Sequence, residues 1–184
     1  MKKVFVALMV LLSLQSVAQS LPSAAVILSD AGVAALKDKK SVFLLFHASW
    51  CGWCHKMDTA MADPSIQPLF DKAYVIRHLT VYEKEDSSLD NPGARELLKK
   101  YHGEELGIPY WMIFDGNGKL LADSKMGIDK PGIAGGQNTG CPASVEEVEH
   151  FIKALKKSSD LDDAQLDLIR KRFRKIDPAY RTQQ

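Results

Sequence analysis

Cysteine is scarce in this sequence, long apolar runs and surplus charge are missing, and no segment repeats. Three cysteines in 184 residues exclude a small fold stapled by several disulfides. The longest apolar run, the eleven residues Val4 to Leu14, is about half of the roughly 20 that a helix needs to span a bilayer. With 24 basic and 23 acidic residues the formal charge is +1, which offers no electrostatic footprint for nucleic acid or an anionic surface. What remains, 46% hydrophobic and 26% charged residues, is the profile of one ordinary globular domain, able to build a core without cross-links.

The first residues stand apart from that domain. Lys2 and Lys3 precede the apolar run, and Ser16-Val17-Ala18 places small residues where a signal peptidase reads. The expectation is a secretory signal over residues 1–18 and a mature domain over residues 19–184. Removing the two lysines leaves 22 basic against 23 acidic residues, a formal charge of −1. No cysteine lies near the cleavage point to accept lipid. A periplasmic or extracellular location would be oxidising and would permit disulfide chemistry, with an odd cysteine count leaving one thiol outside any pair.

Two of the cysteines lie together in Trp50-Cys51-Gly52-Trp53-Cys54-His55. The apolar, β-branched and aromatic run Val42 to Phe46 ahead of them reads as a buried strand. Gly52 to about Ala62, free of proline, reads as a helix. Cysteines at a helix N-terminus meet unpaired N–H groups and the positive end of the macrodipole, which favour thiolate over thiol. Cys51 is then the activated nucleophile at the exposed end, and Cys54, one turn further in, its resolving partner. The same residues fit Cys-x-x-Cys-His, the pattern of covalent c-type haem attachment with His55 on the iron. A redox dithiol and a haem site compete for one motif.

Along the chain, Leu21 to Leu28 reads as a lead-in or short edge strand. A helix follows from Ser29 or Asp30 to Lys37, with Val33, Leu36 and the alanines as its apolar side. After the cysteine helix, Asp63-Pro64 starts a short one that turns Ile66, Leu69 and Phe70 inward. Ala73 to Tyr82 reads as a strand, and Glu83 to Ser88 as a solvated loop. Asn91-Pro92 opens a helix with Ala94, Leu97, Leu98 and Tyr101 on its buried face, ended by His102-Gly103. Tyr110 to Phe114 and Lys119 to Asp123 form a hairpin across Asp115-Gly116-Asn117-Gly118. Residues 127–143 read as loop. Ser144 and Glu147 make a capping box for a helix with Val145, Val148, Ile152 and Leu155 inward. A last helix, Leu161 to Ile176, buries Leu166, Ile169, Phe173 and Ile176, and its cluster Arg170 to Lys175 reads as a solvated face.

The order strand, Cys-x-x-Cys, helix, strand, helix, Gly107-Ile108-Pro109-Tyr110, hairpin and closing helix resembles the thioredoxin family over about residues 30–157. The resemblance implies an α/β thioredoxin fold, a central mixed sheet flanked by helices, with residues 158–184 as an extra C-terminal helical extension. It implies thiol-disulfide exchange by Cys51 and Cys54, and a cis Pro109 packed beside the sulfurs so that backbone at Ile108 can pair with an extended substrate. Trp50 and Trp53 would form an apolar rim for docking flexible chains. The expected partners are proteins with disulfides or thiols and a redox partner, a membrane-bound one being a candidate; no cofactor and no metal are called for.

Leu45 departs from the family pattern. It occupies the strand position where the family usually carries a buried acid that shuttles a proton to and from the resolving thiol. Ile108 before the proline is what reductant members tend to show. Cys141, just before the closing helix, is a candidate regulatory thiol, able to pair with Cys51 or a partner, or else a buried small hydrophobe. Cys51, Cys54, His55 and Cys141 lack the spacing of a zinc site. The resemblance favours the oxidoreductase over the haem protein, and intact motif cysteines favour it over a redox-inactive binding protein built on the same fold.

Overall fold

The computed structural model describes residues 21–181; the signal expected over residues 1–18 lies outside them. Four strands form the main sheet: β1 (Ser41–His47), β2 (Tyr74–Thr80), β3 (Tyr110–Phe114) and β4 (Leu120–Asp123), in spatial order β2-β1-β3-β4. β1 runs parallel to β2 and antiparallel to β3, and β3 runs antiparallel to β4. The sheet is therefore mixed, as the resemblance implied.

β1 is the central strand, and its unbroken apolar run follows from being covered on both faces. Alternation along the strand sends Val42, Leu44 and Phe46 into one core layer and Phe43 and Leu45 into the other. β3 repeats the division, with Tyr110, Met112 and Phe114 on the first side and Trp111 and Ile113 on the second. Helices α1 (Ala24–Asp38) and α4 (Ala94–Lys100) cover the first face. Helices α2 (Gly52–Met61), α3 (Gln67–Ala73), α5 (Val145–Ser158) and α6 (Asp163–Arg174) cover the second.

Three local expectations need correcting. First, α1 begins at Ala24, inside the stretch read as a lead-in or edge strand, because the Ser23 hydroxyl caps it by accepting the Val26 N–H at 3.3 Å. Its inward face consists of Ala24, Ala31, Gly32 and Ala35, while Val33 and Leu36 remain exposed. Small residues let the helix lie close to the chain beneath: a Cβ on Gly32 would stand 3.0 Å from the Gly116 carbonyl oxygen. Second, the loop over residues 127–143 belongs to a two-residue ladder, β5 (Lys125–Met126) with β6 (Gln137–Asn138). The buried Lys125 ammonium anchors this loop by donating to the carbonyls of Tyr101 (2.8 Å) and Ile133 (2.5 Å). Third, the C-terminal helix is α6 followed by one further turn, α7 (Pro178–Arg181).

The expected capping box at the start of α5 is present, and α6 has a second one. Ser144 and Glu147 close the start of α5, and Asp162 and Gln165 do the same for α6. Val145, at the first position of α5, faces solvent, whereas Val148, Ile152 and Leu155 are buried. From α6, Leu166, Ile169 and Phe173 enter the same core as α2 and α5, the Phe173 ring lying 4.9 Å from that of Phe151. The C-terminal extension is thus packed against the sheet's second layer. Its basic cluster is largely paired: Arg170 with Glu149 and Asp167, Lys171 with Asp167, Arg172 with Asp63, and Arg174 with Asp177 and the Ala143 carbonyl.

Candidate active site

β1 ends at His47, and Ala48 to Trp50 turn the chain so that α2 starts directly after Cys51. The Cys51 N–H donates to the Ala48 carbonyl (3.0 Å), and the His55 N–H closes the first helical turn on the Cys51 carbonyl (3.2 Å). Cys51 is the N-cap of α2, its sulfur accepting the Cys54 N–H at 3.1 Å. The sulfur therefore occupies the place of a capping oxygen, where a negative charge is stabilised by unpaired N–H groups and the helix dipole. Cys51 and Cys54 form a disulfide, S–S 2.06 Å and Cα–Cα 5.2 Å. Both are more enclosed than the picture of an exposed Cys51 suggests, at 4% and 1% accessible, because Ala48 and Ile108 pack around them.

The Ile108–Pro109 peptide bond is cis. Cys51 Sγ lies 3.7 Å from the Ile108 carbonyl oxygen. In the disulfide that sulfur carries no hydrogen, so the approach is a contact; a hydrogen bond there is open only to the reduced thiol. Among the described residues the N–H and C=O of Ile108 have no backbone partner, and both are free to pair with an added strand.

Asn138 is a residue that sequence reasoning missed. Its side-chain amide lies within donor distance of the carbonyls of Leu106 (3.1 Å), Gly107 (3.2 Å) and Pro109 (3.1 Å), three of the four residues around the cis bond. Its oxygen accepts the Gly140 N–H at 3.0 Å, and the Gly140 carbonyl in turn accepts the Trp111 indole N–H at 3.2 Å. Nothing local in Gly135-Gly136-Gln137-Asn138 signals this, since the partners lie about thirty positions earlier.

Trp50 and Trp53, each directly before a motif cysteine in the chain, are half-exposed, at 46% and 50%. Trp50 donates its indole N–H to the Tyr82 carbonyl at 2.8 Å, and Lys84 Nζ stands 4.1 Å above its ring. Lys56 Nζ stands 3.8 Å above the Trp53 ring. The stretch read as a solvated loop begins here: the Glu83 carboxylate accepts both the backbone N–H and the hydroxyl of Ser49, each at 2.6 Å. Tyr82 takes a left-handed φ of 61°, held by Asp90, which accepts the N–H groups of Tyr82 and Glu83. Glu83 thereby braces the turn that carries the cysteines.

His55 Nε2 lies 2.9 Å from the Ser49 carbonyl oxygen. The three groups a c-type haem would require are engaged elsewhere, two in a disulfide and one on the backbone. Leu45 is fully buried among apolar neighbours. Cys141 is a free thiol at 5% accessibility in that same core, and burial pushes its pKa up to about 12. The structure thus gathers Trp50, Cys51, Trp53, Cys54, Ile108 and Pro109 at one end of β1 and places Cys141 in the main core. Among the described residues no group of three or more His, Cys, Asp or Glu side chains is arranged to hold a metal ion. A cavity of about 790 Å³ lies away from this chemistry, between α1, α4 and the β3–β4 turn.

The thioredoxin-like family model matches residues 25–116, a span holding both cysteines and Pro109. The chain belongs to the thioredoxin-like family. With its Cys-x-x-Cys pair on the first turn of α2, this thioredoxin-like protein has the fold and the redox pair of a thiol-disulfide oxidoreductase. Among solved structures it is similar to a disulphide isomerase from Xylella fastidiosa Temecula1, with 24% identity over 51% of this chain and 67% of that one and a TM-score of 0.43. It is also similar to the DsbH oxidoreductase, with 22% identity over 74% and 83% of the two chains and a TM-score of 0.44. A third is the oxidised C-terminal domain of Neisseria meningitidis DsbD, with 19% identity over 66% and 90% and a TM-score of 0.39. No curated protein matches it.

Proposed function

We propose that this protein is an exported thiol-disulfide oxidoreductase that reduces or exchanges disulfides in other proteins. The observation that carries the reading is the position of Cys51 Sγ, capping α2 on one side and 3.7 Å from the unpaired Ile108 carbonyl on the other. The Cys51 thiolate attacks one sulfur of a substrate disulfide held as an extended segment along Ile108. The substrate S–S bond breaks, its second sulfur leaves as a thiolate and takes a proton from water, and a mixed disulfide with Cys51 remains. The Cys54 thiolate then attacks Cys51 Sγ and expels the first substrate sulfur. Two electrons have passed to the substrate, and the protein is left as the Cys51–Cys54 disulfide. An external dithiol, in solution or on a membrane partner, must return those electrons.

With Leu45 in place of an acid, the Cys54 proton leaves to water. Ile108 supports the reducing direction over the oxidising one. Export to the periplasm or beyond rests on Lys2, Lys3, the run Val4 to Leu14 and the small residues before Gln19.

The test is a redox titration of residues 19–184 in thiol buffers, followed by tryptophan fluorescence. Trp50 and Trp53 flank the pair, while Trp111 is buried away from solvent. A reversible two-electron transition is expected, near about −270 mV for a reductant and near about −120 mV for an oxidant. Cys54→Ser should trap a mixed disulfide with substrate, and Cys51→Ser should form none. Absence of any two-electron transition would refute the reading.

A further inference from the structure

The C-terminal extension makes one wall of a groove of about 590 Å³ along α2, the helix that carries the redox pair. Trp53, Lys56 and Thr59 of α2 form one side, and Lys175, Ile176 and Pro178 the other. Trp53 lines this groove and directly precedes Cys54 in the chain, so the groove begins one residue from the pair. Lys56 and Lys175 are exposed, and no carboxylate lines the groove. Arg172, at its floor, is already committed to Asp63, Nε to Oδ2 2.5 Å. Asp167 and Asp177, on the same extension, are occupied by Lys171 with Arg170 and by Arg174. On a chain whose total charge is near zero, this places two exposed ammonium groups, that of Lys56 resting over the Trp53 ring, at a groove that also holds His55 and the apolar surfaces of Trp53, Ile176 and Pro178.

We propose that this groove is the subsite for the stretch of substrate flanking its reactive cysteine, and that it selects an acidic segment. Carboxylates in that stretch meet Lys56 and Lys175, and an apolar side chain lies on Trp53, Ile176 and Pro178. The spacing suits a peptide: Lys56 is one helical turn beyond Trp53, within reach of the second or third residue from the cysteine at about 3.3 Å per extended residue. The inference rests on the oxidoreductase reading and adds the substrate class to it.

The test measures single-turnover reduction, by the reduced protein, of three peptides whose one cysteine is disulfide-linked to the same leaving thiol and flanked by Glu, Gln or Lys. Each rate is divided by the rate with dithiothreitol, which removes the effect of the flanking charge on the disulfide itself. The Glu peptide should react about fivefold faster than the Gln peptide and the Lys peptide slower still, a range typical of two exposed ion pairs. The preference should collapse in 0.5 M salt, about where screening shortens to a few ångströms. In the double variant Lys56→Glu, Lys175→Glu the order should reverse; as a ratio within one protein, it is insensitive to loss of folded material. Equal rates for the three peptides, or an unchanged order in the double variant, would overturn the subsite. Failure of all three to react, with dithiothreitol reducing each, would instead remove the oxidoreductase reading and this inference with it.

Discussion

The three cysteines show how one side chain acquires opposite chemistry from its surroundings. Cys51 caps a helix and faces N–H groups, an environment that stabilises negative charge. Cys141 lies in the main apolar core with Met57, Trp111 and Val148, where a thiolate is costly, and its pKa rises to about 12. A thiol whose folded pKa lies above its unfolded value stabilises the fold below that unfolded value and loses the contribution as pH rises toward 12. At neutral pH Cys141 stays protonated. In the reduced protein at pH 8, iodoacetamide should label Cys51 within minutes and leave Cys141 untouched until urea is added, as read by peptide mass mapping. Native labelling of Cys141 as fast as Cys51 would return it to the role of a regulatory thiol. Its sequence position, before α5 and near the active-site end, left that role open; only the packing separates the two.

At the scale of elements, the short β5–β6 ladder acts as a clamp. The Lys125 ammonium and the Asp123 carboxylate, which accepts the N–H groups of Lys125 (3.0 Å) and Gly132 (2.6 Å), fix the loop from below. Asn138 then holds the carbonyls on either side of Ile108. Asn138→Ala leaves those carbonyls without their donor and should cost about 1–3 kcal/mol of stability, read by urea unfolding. The same variant should slow attack on peptide disulfides more than on a small disulfide that makes no backbone contact; equal slowing would mean that the clamp serves stability alone. The start of α5 was legible, since Ser144 and Glu147 lie within one turn, whereas the box of Asp162 and Gln165 moved the start of α6 two residues past the expected Leu161. The start of α1 was less legible, because its buried face is built from alanines and a glycine, whose inward placement depends on how closely the helix approaches the sheet.

On the whole molecule, pH acts through a cluster joining β1, β2 and α2. His47 is half-buried, its ring 4.9 Å from that of His78, which is bonded to Asp58 at 2.8 Å. Burial first, and the neighbouring His78 second, hold the His47 pKa below its ordinary value. A base with a lowered folded pKa binds protons better when unfolded. Its contribution is complete above about 6.5, the unfolded value, and is lost as pH falls below it. The urea midpoint should drop between pH 7.5 and 5.5, and His47→Gln should flatten that slope. An unchanged slope would place the sensitivity elsewhere. Asp63, lowered to about 2 by Ser65 and Arg172, contributes in full above the ordinary carboxylate value, and that contribution is lost only as pH falls toward 2, outside this window.

The sequence by itself determined the order of the main strands and most helices, the cysteine pair on a helix start and, through the Cys-x-x-Cys and Gly-Ile-Pro-Tyr motifs, the resemblance to the family, which in turn implied the cis proline. These signals are carried by alternation, by spacings of three and four, and by short motifs, all local along the chain. Tertiary structure alone decided that Val33 and Leu36 face outward, that Glu83 and Asn138 brace the site, that Cys141 is core, and that Lys56 and Lys175 share a groove. Each of those depends on residues brought together from distant positions, more than a hundred apart for the two lysines. A linear pattern records which faces are apolar, whereas close packing decides which of them meet.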